Sequence, residues 1–431
     1  MDYSTAFLII AIIAIIAQSF LIFLALFEPG LDYKISTPST ASLESDDFLR
    51  MFEALTDAKA HRHNHIEVLT NGETYYEAEL EAIRGAEHSV NLEAYIFKKG
   101  EVARRFVETL TERARAGVRV NLVLDAIGSF TTWNSYLREL IEAGGRVAWY
   151  HPFRWQTISR INNRTHRELI IIDGKLGFIG GAGFADHWLL GTEKRPRWRD
   201  TMFRVEGDSV LSMQATFAEN WLEAAGEILT GTHYFPLHKR GDQAEDQTVT
   251  LIVNSSPSAG RSTRARMLFQ TLLASAQRSI LITTPYFLPD RSARDELVRA
   301  VRERGVEVRV IAPGEHSDHT LVRRSSRRLY GDLLQAGASI YEYEAAMIHT
   351  KSMIVDNEWC VVGSTNFDNR SFGLNDEVNM AVFNRTLAAR LQEDFSRDLA
   401  HCRAVSLEEW QGRPYLERAH EQVGRLLERQ Q

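Results

Sequence analysis

The chain has 431 residues, of which 44% are hydrophobic and 25% charged, a size and composition that suit two or three globular domains and exclude a disordered or fibrous protein. Its formal net charge of −7 argues against a general nucleic-acid-binding protein and favours a small or lipid phosphate as ligand. The only cysteines are Cys360 and Cys402, so a disulfide framework is excluded and a reducing compartment is expected.

The first predicted element is an almost wholly apolar helix from Ala6 to Phe27. At about 1.5 Å per residue it would be about 33 Å long, enough to cross a bilayer. The basic start and small-residue cleavage site of a secretory signal peptide are missing, which favours an uncleaved transmembrane anchor over residues 1–30. The first basic residue after the span is Lys34 and none precedes it, so charge determines the orientation poorly, while the lack of disulfides favours cytoplasmic soluble domains.

Residues 31–62 are predicted to form a polar juxtamembrane tether with a short helix around Phe48–Leu55. Beyond the tether, the period of the apolar residues switches between strand and helix. Val90–Phe97 alternates as a strand does, Val102–Ala116 is an amphipathic helix ended by a glycine, and Val118–Leu124 is a buried strand. This order predicts an α/β domain with parallel strand pairings.

The same order of elements returns in the second half of the chain. Ser279–Phe287 corresponds to Ser89–Phe97, and a helix at Asp295–Arg304 leads into a strand at Val306–Ile311. We therefore predict two tandem α/β domains related by internal duplication with a pseudo-twofold axis. The first spans residues 63–240, and the second spans 241–431 and includes a C-terminal helical cap. Because many α/β proteins share this order of elements, duplication also demands that each half carry the same motif.

Each half does contain a histidine motif. A histidine and a lysine two residues apart on an extended segment point to the same face, and the pair suits a phosphate, because the lysine neutralises oxygens while the histidine attacks phosphorus or protonates the leaving oxygen. The spacing from histidine to aspartate is the same in both halves. The second-half motif is His349-Thr350-Lys351, Asp356 and Gly363-Ser364-Thr365-Asn366, and the first-half motif is His166-Arg167-Glu168, Asp173 and Gly180-Gly181-Ala182-Gly183.

Two such motifs imply one shared phosphate site with an imidazole from each half. One neutral histidine forms a phosphohistidine, and the other, protonated, delivers a proton to the departing alcohol and then acts as base. Ser364 and Asn366 can donate hydrogen bonds to the phosphate with Lys351, and Gly363 permits close backbone approach. This chemistry requires neither a metal nor a cofactor.

The first motif departs from the second at two positions: Glu168 stands where the second half has Lys351, and Gly183 where it has Asn366. A carboxylate about 4 Å from a phosphate charge costs on the order of 4 kcal/mol at an effective dielectric near ~20. Strand alternation points Arg167 away from the site. Three explanations are open: another arginine (Arg164 or Arg199) reaches in, Glu168 pairs with Lys351, or the first half is not catalytic.

These motifs resemble those of the phospholipase D superfamily. The resemblance extends over most of the soluble part, from about Ile66 to Asn384. Within the superfamily, the chain is most similar to the bacterial cardiolipin synthase branch, on the basis of its apolar N-terminus, Asn91–Phe97, Thr284–Pro289 and Asn366–Phe372. The resemblance implies a single-pass protein of the bacterial inner membrane that transfers a phosphatidyl group from a phospholipid such as phosphatidylglycerol to the alcohol of a second lipid. Its partners would be phospholipids and the bilayer, with no nucleic acid.

The resemblance also implies residue roles. Each histidine is oriented by a carboxylate of the opposite half, His166 by Glu377 and His349 by Asp200, with His166 as nucleophile and His349 as acid. Two other functions are open: phospholipase D-type hydrolysis of a phosphodiester, and a non-catalytic lipid-binding scaffold derived from such an enzyme. Residues from Phe184 to Arg199 mix aromatic and basic side chains, typical either of a loop that touches anionic lipid or of a surface loop that closes on the core.

Overall fold

The computed structural model describes residues 3–27, 31–37, 41–153, 160, 162–236, 248–257 and 262–414. Helix α1 (Tyr3–Phe27) confirms the predicted apolar N-terminal helix. Within the described ranges it is the one helix long and apolar enough to cross a membrane, and no residue of its most apolar stretch, Tyr3–Phe20, is buried.

The predicted strands and helix of the first half are confirmed, with shifts of a few residues at their ends. A short 3-10 turn, Asp186–Trp188, is also present. In chain order, the elements after α1 are α2 (Asp46–Thr56), β1 (Ala60–His61), β2 (Asn64–Thr70), α3 (Gly72–Arg84), β3 (Ser89–Ala94), α4 (Glu101–Arg115), β4 (Arg119–Asp125), α5 (Arg138–Glu142), β5 (Arg146–Tyr150), β6 (Leu169–Ile172), β7 (Leu176–Gly180), β8 (Thr201–Gly207) and α6 (Ser209–Ala225).

The second half repeats this pattern, and the predicted helix and strands around residues 279–311 are also confirmed. Its elements are β9 (Val249–Ser255), α7 (Arg264–Ser275), β10 (Ser279–Thr283), β11 (Phe287–Leu288), α8 (Arg291–Arg304), β12 (Glu307–Pro313), α9 (Thr320–Ala336), β13 (Ser339–Tyr343), β14 (Ser352–Val355), β15 (Trp359–Gly363), β16 (Phe367–Asp368), α10 (Asn369–Gly373), β17 (Glu377–Phe383), α11 (Arg385–Leu399), β18 (Cys402–Val405) and α12 (Leu407–Gln411).

The order of strands demonstrates the duplication. The first sheet runs β2-β8-β7-β6-β3-β4-β5, and the second runs β1-β9-β17-β15-β14-β10-β12-β13-β18, so its middle seven strands repeat the first sheet position by position. The directions match as well: β3 is parallel to β4 as β10 is to β12, and antiparallel to β6 as β10 is to β14. Strands at the centre of each sheet are buried on both faces, which explains their nearly continuous apolar runs.

Three apolar cores hold the molecule together. Helices α3 and α4 cover the outer face of the first sheet, and α7, α8 and α9 cover the outer face of the second. The third core lies between the two sheets and includes α6 and α11 with side chains from both halves. The two halves therefore share a packed apolar interface that fixes their relative position, and a site built from both can be rigid.

The segment 31–62 is more than the polar tether expected from its sequence. The predicted short helix is present as α2, but its apolar face is part of the outer core of the second half, where the rings of Phe48 and Phe52 lie 6.0 and 5.1 Å from that of Trp359. Strand β1 then pairs with β9 at the edge of the second sheet. The apolar residues of α2 recur at helical spacing, which buries one stripe even where the surrounding sequence is polar.

The C-terminal region differs from a purely helical cap. Helix α11 agrees with the helix expected after about Leu387, but the chain then forms β18, which extends the sheet beside β13, before the short α12. The rest of the expected cap, residues 415–431, lies outside the described residues.

Candidate active site

Backbone contacts across the two halves hold both histidine motifs. The His166 N–H donates to Asp376 O at 2.8 Å, and the His349 N–H donates to Arg199 O at 2.7 Å. Each motif lies just before a strand, β6 or β14, rather than inside it. Each half thus anchors the other half's motif by the same kind of contact, which is the relationship that a pseudo-twofold axis requires.

The structure brings each histidine together with the carboxylate expected from the resemblance. His166 Nδ1 lies 3.1 Å from Glu377 Oε1, and His349 Nδ1 lies 2.9 Å from Asp200 Oδ2. Burial by itself would raise the pKa of both carboxyl groups, but the adjacent imidazoles hold each pKa below its ordinary value. The carboxylates therefore stay ionised and can accept Nδ1–H. Lys351 Nζ also lies 2.9 Å from Nδ1 and 3.3 Å from Nε2 of His349, so the lysine and this imidazole share one side of the site.

His349 is the more enclosed of the two imidazoles. The rings of Trp188 and Trp198 lie 5.3 and 5.2 Å from it, and Trp188 Nε1 donates to Asp200 at 3.0 Å. Burial lowers the pKa of His349, and the charge of Lys351 lowers it further. The sequence identified Trp188 only as part of an aromatic loop, and its support of Asp200 was missed because only the fold brings the two together.

Lys351 extends from the second half over the first. Its Nζ donates to the His349 carbonyl oxygen at 2.8 Å, and a Cβ at Gly181 would lie 2.7 Å from Nζ, so the missing side chain there makes room for the lysine. Burial lowers the pKa of Lys351 to about 8. A buried ammonium group that is still mostly protonated at neutral pH gains much from a nearby anion, which suits a phosphate ligand.

The proposed phosphate donors after the second motif have different surroundings. Ser364 Oγ donates to Glu377 Oε2 at 2.5 Å, so its hydroxyl supports the carboxylate that holds His166. At Gly363, where φ is 153°, a Cβ would lie 2.3 Å from Val378 O, so the close approach that glycine permits is to a neighbouring strand. Asn366 is buried, and its Oδ1 has no hydrogen-bond partner within the described residues. Of these three residues, Asn366 has the side chain that is left for a ligand: its unpartnered Oδ1 is an acceptor, so a phosphate oxygen would be bound by the amide N–H group.

The motif aspartates shape the backbone instead of facing the histidines. Asp173 and Asp356 have left-handed backbones with φ of 53° and 54°. Each carboxylate accepts hydrogen bonds from three consecutive backbone N–H groups, those of Glu87, His88 and Ser89 for Asp173 and those of Gln277, Arg278 and Ser279 for Asp356. They fix the starts of β3 and β10, which is why the spacing from histidine to aspartate is the same in both halves.

Glu168 is buried beside the site and is not neutralised by either candidate arginine. Arg164 pairs with Asp125 at 3.1 Å, and Arg199 pairs with Asp398 at 2.9 Å. Arg167 extends towards α6, away from the site as expected. Burial raises the pKa of Glu168 well above its ordinary value, although the charge of Lys351 partly opposes this. A neutral carboxyl group does not repel a phosphate as the ionised group would.

A cleft of about 950 Å³ opens beside the two histidines. Its lining includes Tyr95, whose ring lies 5.2 Å from His166, and Trp198 next to His349. The rim carries exposed apolar and basic side chains, Ile127, Phe130, Leu190, Lys194 and Arg195, together with the half-buried Lys98. Phe184 and Trp188 of the aromatic and basic segment are buried, which agrees with a loop that closes on the core, and the tip of the segment lines the cleft. The contribution of Ile127 and Phe130, in the loop after β4, had no signal in the sequence.

The chain is similar to known proteins over most of its length. A family model described as "Cardiolipin synthase, PLD-like domain" matches residues 80–194 and 269–399. The chain is 35% identical over 389 residues to the major cardiolipin synthase of Bacillus subtilis (strain 168), and the aligned region covers 90% of this chain and 80% of that protein. It is 36% identical over 363 residues to a cardiolipin synthase of Geobacillus kaustophilus (strain HTA426), and the aligned region covers 84% of this chain and 71% of that protein.

Solved structures extend the similarity of the fold. The phosphatidylserine synthase of Haemophilus influenzae Rd KW20 aligns with a TM-score of 0.67 at 14% identity, covering 89% of this chain and 96% of that one. Two tandem domains of this fold, preceded by one apolar helix, thus confirm the predicted fold class.

Proposed function

The chain belongs to the cardiolipin synthase family of phospholipase D-like enzymes, and from this we propose that it is a membrane-anchored phosphatidyltransferase that makes cardiolipin or a related phospholipid through a phosphohistidine. The observation that carries the proposal is the pair of crossed contacts, His166 with Glu377 and His349 with Asp200. Two imidazoles, each with an ionised carboxylate at Nδ1, are what a two-step phosphoryl transfer requires.

In the first step, His166 Nε2 attacks the phosphorus of a phospholipid and the bond from phosphorus to the head-group oxygen breaks. His349 Nε2–H gives its proton to that oxygen, and the head group leaves as an alcohol. In the second step, the hydroxyl of a second lipid gives its proton to His349 while its oxygen attacks phosphorus, which releases His166. Lys351 and the side-chain N–H group of Asn366 donate hydrogen bonds to the phosphate oxygens throughout, and Glu377 and Asp200 stabilise the imidazolium forms.

Substrate binding prepares His349 to act as the acid. In the free protein, burial and the charge of Lys351 both favour its neutral form. A bound phosphodiester carries a negative charge that offsets the charge of Lys351, so the pKa of His349 rises when the substrate arrives. His166, with Glu377 beside it, is then the nucleophile.

The bilayer supplies both substrates at high effective concentration. We place α1 across the membrane, with the soluble halves on the cytoplasmic side of the bacterial inner membrane. The apolar and basic rim of the cleft supports this arrangement, because such side chains favour the interface of an anionic bilayer. A tethered enzyme meets lipid head groups without leaving the surface.

The proposal is tested with the purified full-length protein in mixed micelles of detergent and phosphatidylglycerol. We expect cardiolipin and free glycerol as products, with loss of both in His349→Ala and retention in His65→Ala, which changes an exposed histidine of β2. Phosphatidic acid as the main product would identify a hydrolase instead. Lipid binding without any product would identify the scaffold, although a decayed site has no chemical reason to keep both histidines and both carboxylates.

The assignment of the nucleophile has a separate test. Phosphohistidine is hydrolysed in acid, so the reaction is quenched in alkali. The phosphorylated peptide is then mapped by mass spectrometry. We expect the label on His166. A label on His349 alone would exchange the two roles without affecting the proposed reaction.

A further inference from the structure

Glu168 is held by two residues that line the cleft, and one of its carboxyl oxygens has no partner within the described residues. Its Oε1 accepts hydrogen bonds from the N–H groups of Tyr95 at 3.1 Å and Ile96 at 3.4 Å, two residues that line the cleft. Its Oε2 is buried and has no hydrogen-bond partner within the described part of the chain. An unsatisfied buried carboxyl oxygen costs on the order of 1–3 kcal/mol, so the arrangement favours a ligand that supplies the missing hydrogen bond.

The two departures of the first motif form one structural unit. A Cβ at Gly183 would lie 3.2 Å from Glu168 Oε1 and 2.7 Å from Ile96 O, so any side chain there would press on the carboxyl group and on the backbone that holds it. Glycine at 183 thus leaves the space in which Glu168 binds the Tyr95 and Ile96 N–H groups. A decayed lysine position would not require a matching change fifteen residues away.

The chemistry of the group suits a hydroxyl better than a second phosphate contact. Phosphate oxygens need donors, and Lys351 already provides a charged one. A buried carboxyl group can both accept and donate a hydrogen bond, and so can an alcohol. The pKa of Glu168, raised by burial, is consistent with a group that keeps its proton and can donate.

We propose that Glu168 Oε2 binds a second hydroxyl of the acceptor alcohol, adjacent to the one that attacks, and so selects a vicinal diol head group over a monohydric alcohol or water. The attacking hydroxyl faces His349, and its neighbour faces Glu168. This inference rests on the proposed transfer reaction and adds to it the residue that distinguishes the acceptor. A site built to hydrogen-bond a hydroxyl discriminates against an analogue that lacks it.

The test uses full-length protein in mixed micelles, with 1,2-propanediol and 1-propanol competing at equal concentration for the phosphatidyl group. We expect the wild type to favour the diol by about tenfold or more, which corresponds to about 1.4 kcal/mol. In Glu168→Ala the preference should fall close to one, whereas Glu168→Gln should keep most of it, because an amide also donates and accepts. Glu315→Ala, a change of an exposed carboxylate, should match the wild type.

A binding measurement keeps the test independent of turnover and of folding defects. Isothermal calorimetry should show that glycerophosphoglycerol binds more tightly than glycerophosphopropanol to the wild type and to Glu168→Gln, with no difference in Glu168→Ala of unchanged thermal stability. A diol preference in binding without phosphatidyl transfer would overturn the proposed function and support this inference. Transfer with the same diol preference in Glu168→Ala would overturn this inference alone.

Discussion

His349 of the second half and Asp200 of the first are joined by a hydrogen bond of 2.9 Å between Nδ1 and Oδ2, and Asp200 is fully buried. Neither half can orient this imidazole by itself. Asp200→Asn keeps the size of the side chain but removes its charge and its acceptor preference, so we expect kcat to fall by about 10²–10⁴-fold. Asp295→Asn, on the exposed surface of α8, is the matched control in the same micelle assay.

Ser364 offers a way to separate positioning from phosphate binding. Because its hydroxyl donates to Glu377, we expect Ser364→Ala to lower kcat by about 10–100-fold, the equivalent of about 1.5–3 kcal/mol for a hydrogen bond to a charged group, with KM nearly unchanged. Steady-state kinetics over a range of lipid mole fractions distinguishes the two roles. A raised KM with unchanged kcat would mean that Ser364 binds the substrate directly.

Lys351 predicts an alkaline limit to activity. Its pKa is lowered to about 8 by burial, so the ammonium group that binds phosphate is lost as the pH rises through that value. We therefore expect kcat/KM to fall above about pH 8. In Lys351→Arg, whose guanidinium group keeps its proton, the residual activity should lose this alkaline limb. An unchanged alkaline limb in Lys351→Arg would assign the titration to another group.

Phe52 tests whether the segment before the first half is part of the folded second half. Its ring is fully buried against Trp359, so Phe52→Ala should lower the free energy of unfolding by about 3–5 kcal/mol. Phe153→Ala changes an exposed ring and should have little effect on denaturant unfolding. Equal stability of the two variants would return residues 46–56 to the role of a simple tether.

Phe130 tests the contact between the cleft rim and the bilayer. Its side chain is 60% exposed at the mouth of the cleft, so Phe130→Ser should leave folding intact and weaken binding of the soluble part, residues 31–431, to anionic vesicles. Vesicle flotation measures this effect. Trp133→Ser, in the same loop and also exposed but outside the cleft lining, shows whether the effect is confined to the rim.

Sequence by itself determined the apolar helix, the α/β periodicity, the duplication and the two histidine motifs, because these features depend on local residue order. The period of the apolar residues also predicted helix α2, but it did not show where this helix packs. Its burial against Trp359 depends on residues about three hundred positions away in the chain. The pairing of Asp200 and Glu377 with the histidines of the opposite halves came from the resemblance. Only the fold showed that each carboxylate lies within hydrogen-bond distance of its histidine.

The tertiary structure alone decided what the polar atoms of the motifs do. In the fold, Ser364 donates to Glu377, and the motif aspartates accept from backbone N–H groups at the starts of β3 and β10. Arg164 and Arg199 form ion pairs with carboxylates other than Glu168. It also showed that Glu168 and Gly183, two separate departures in the sequence, occupy one space. The physical reason is the same in each case: hydrogen-bond partners and desolvation depend on what packs around a group, and in this protein that is supplied largely by distant parts of the chain.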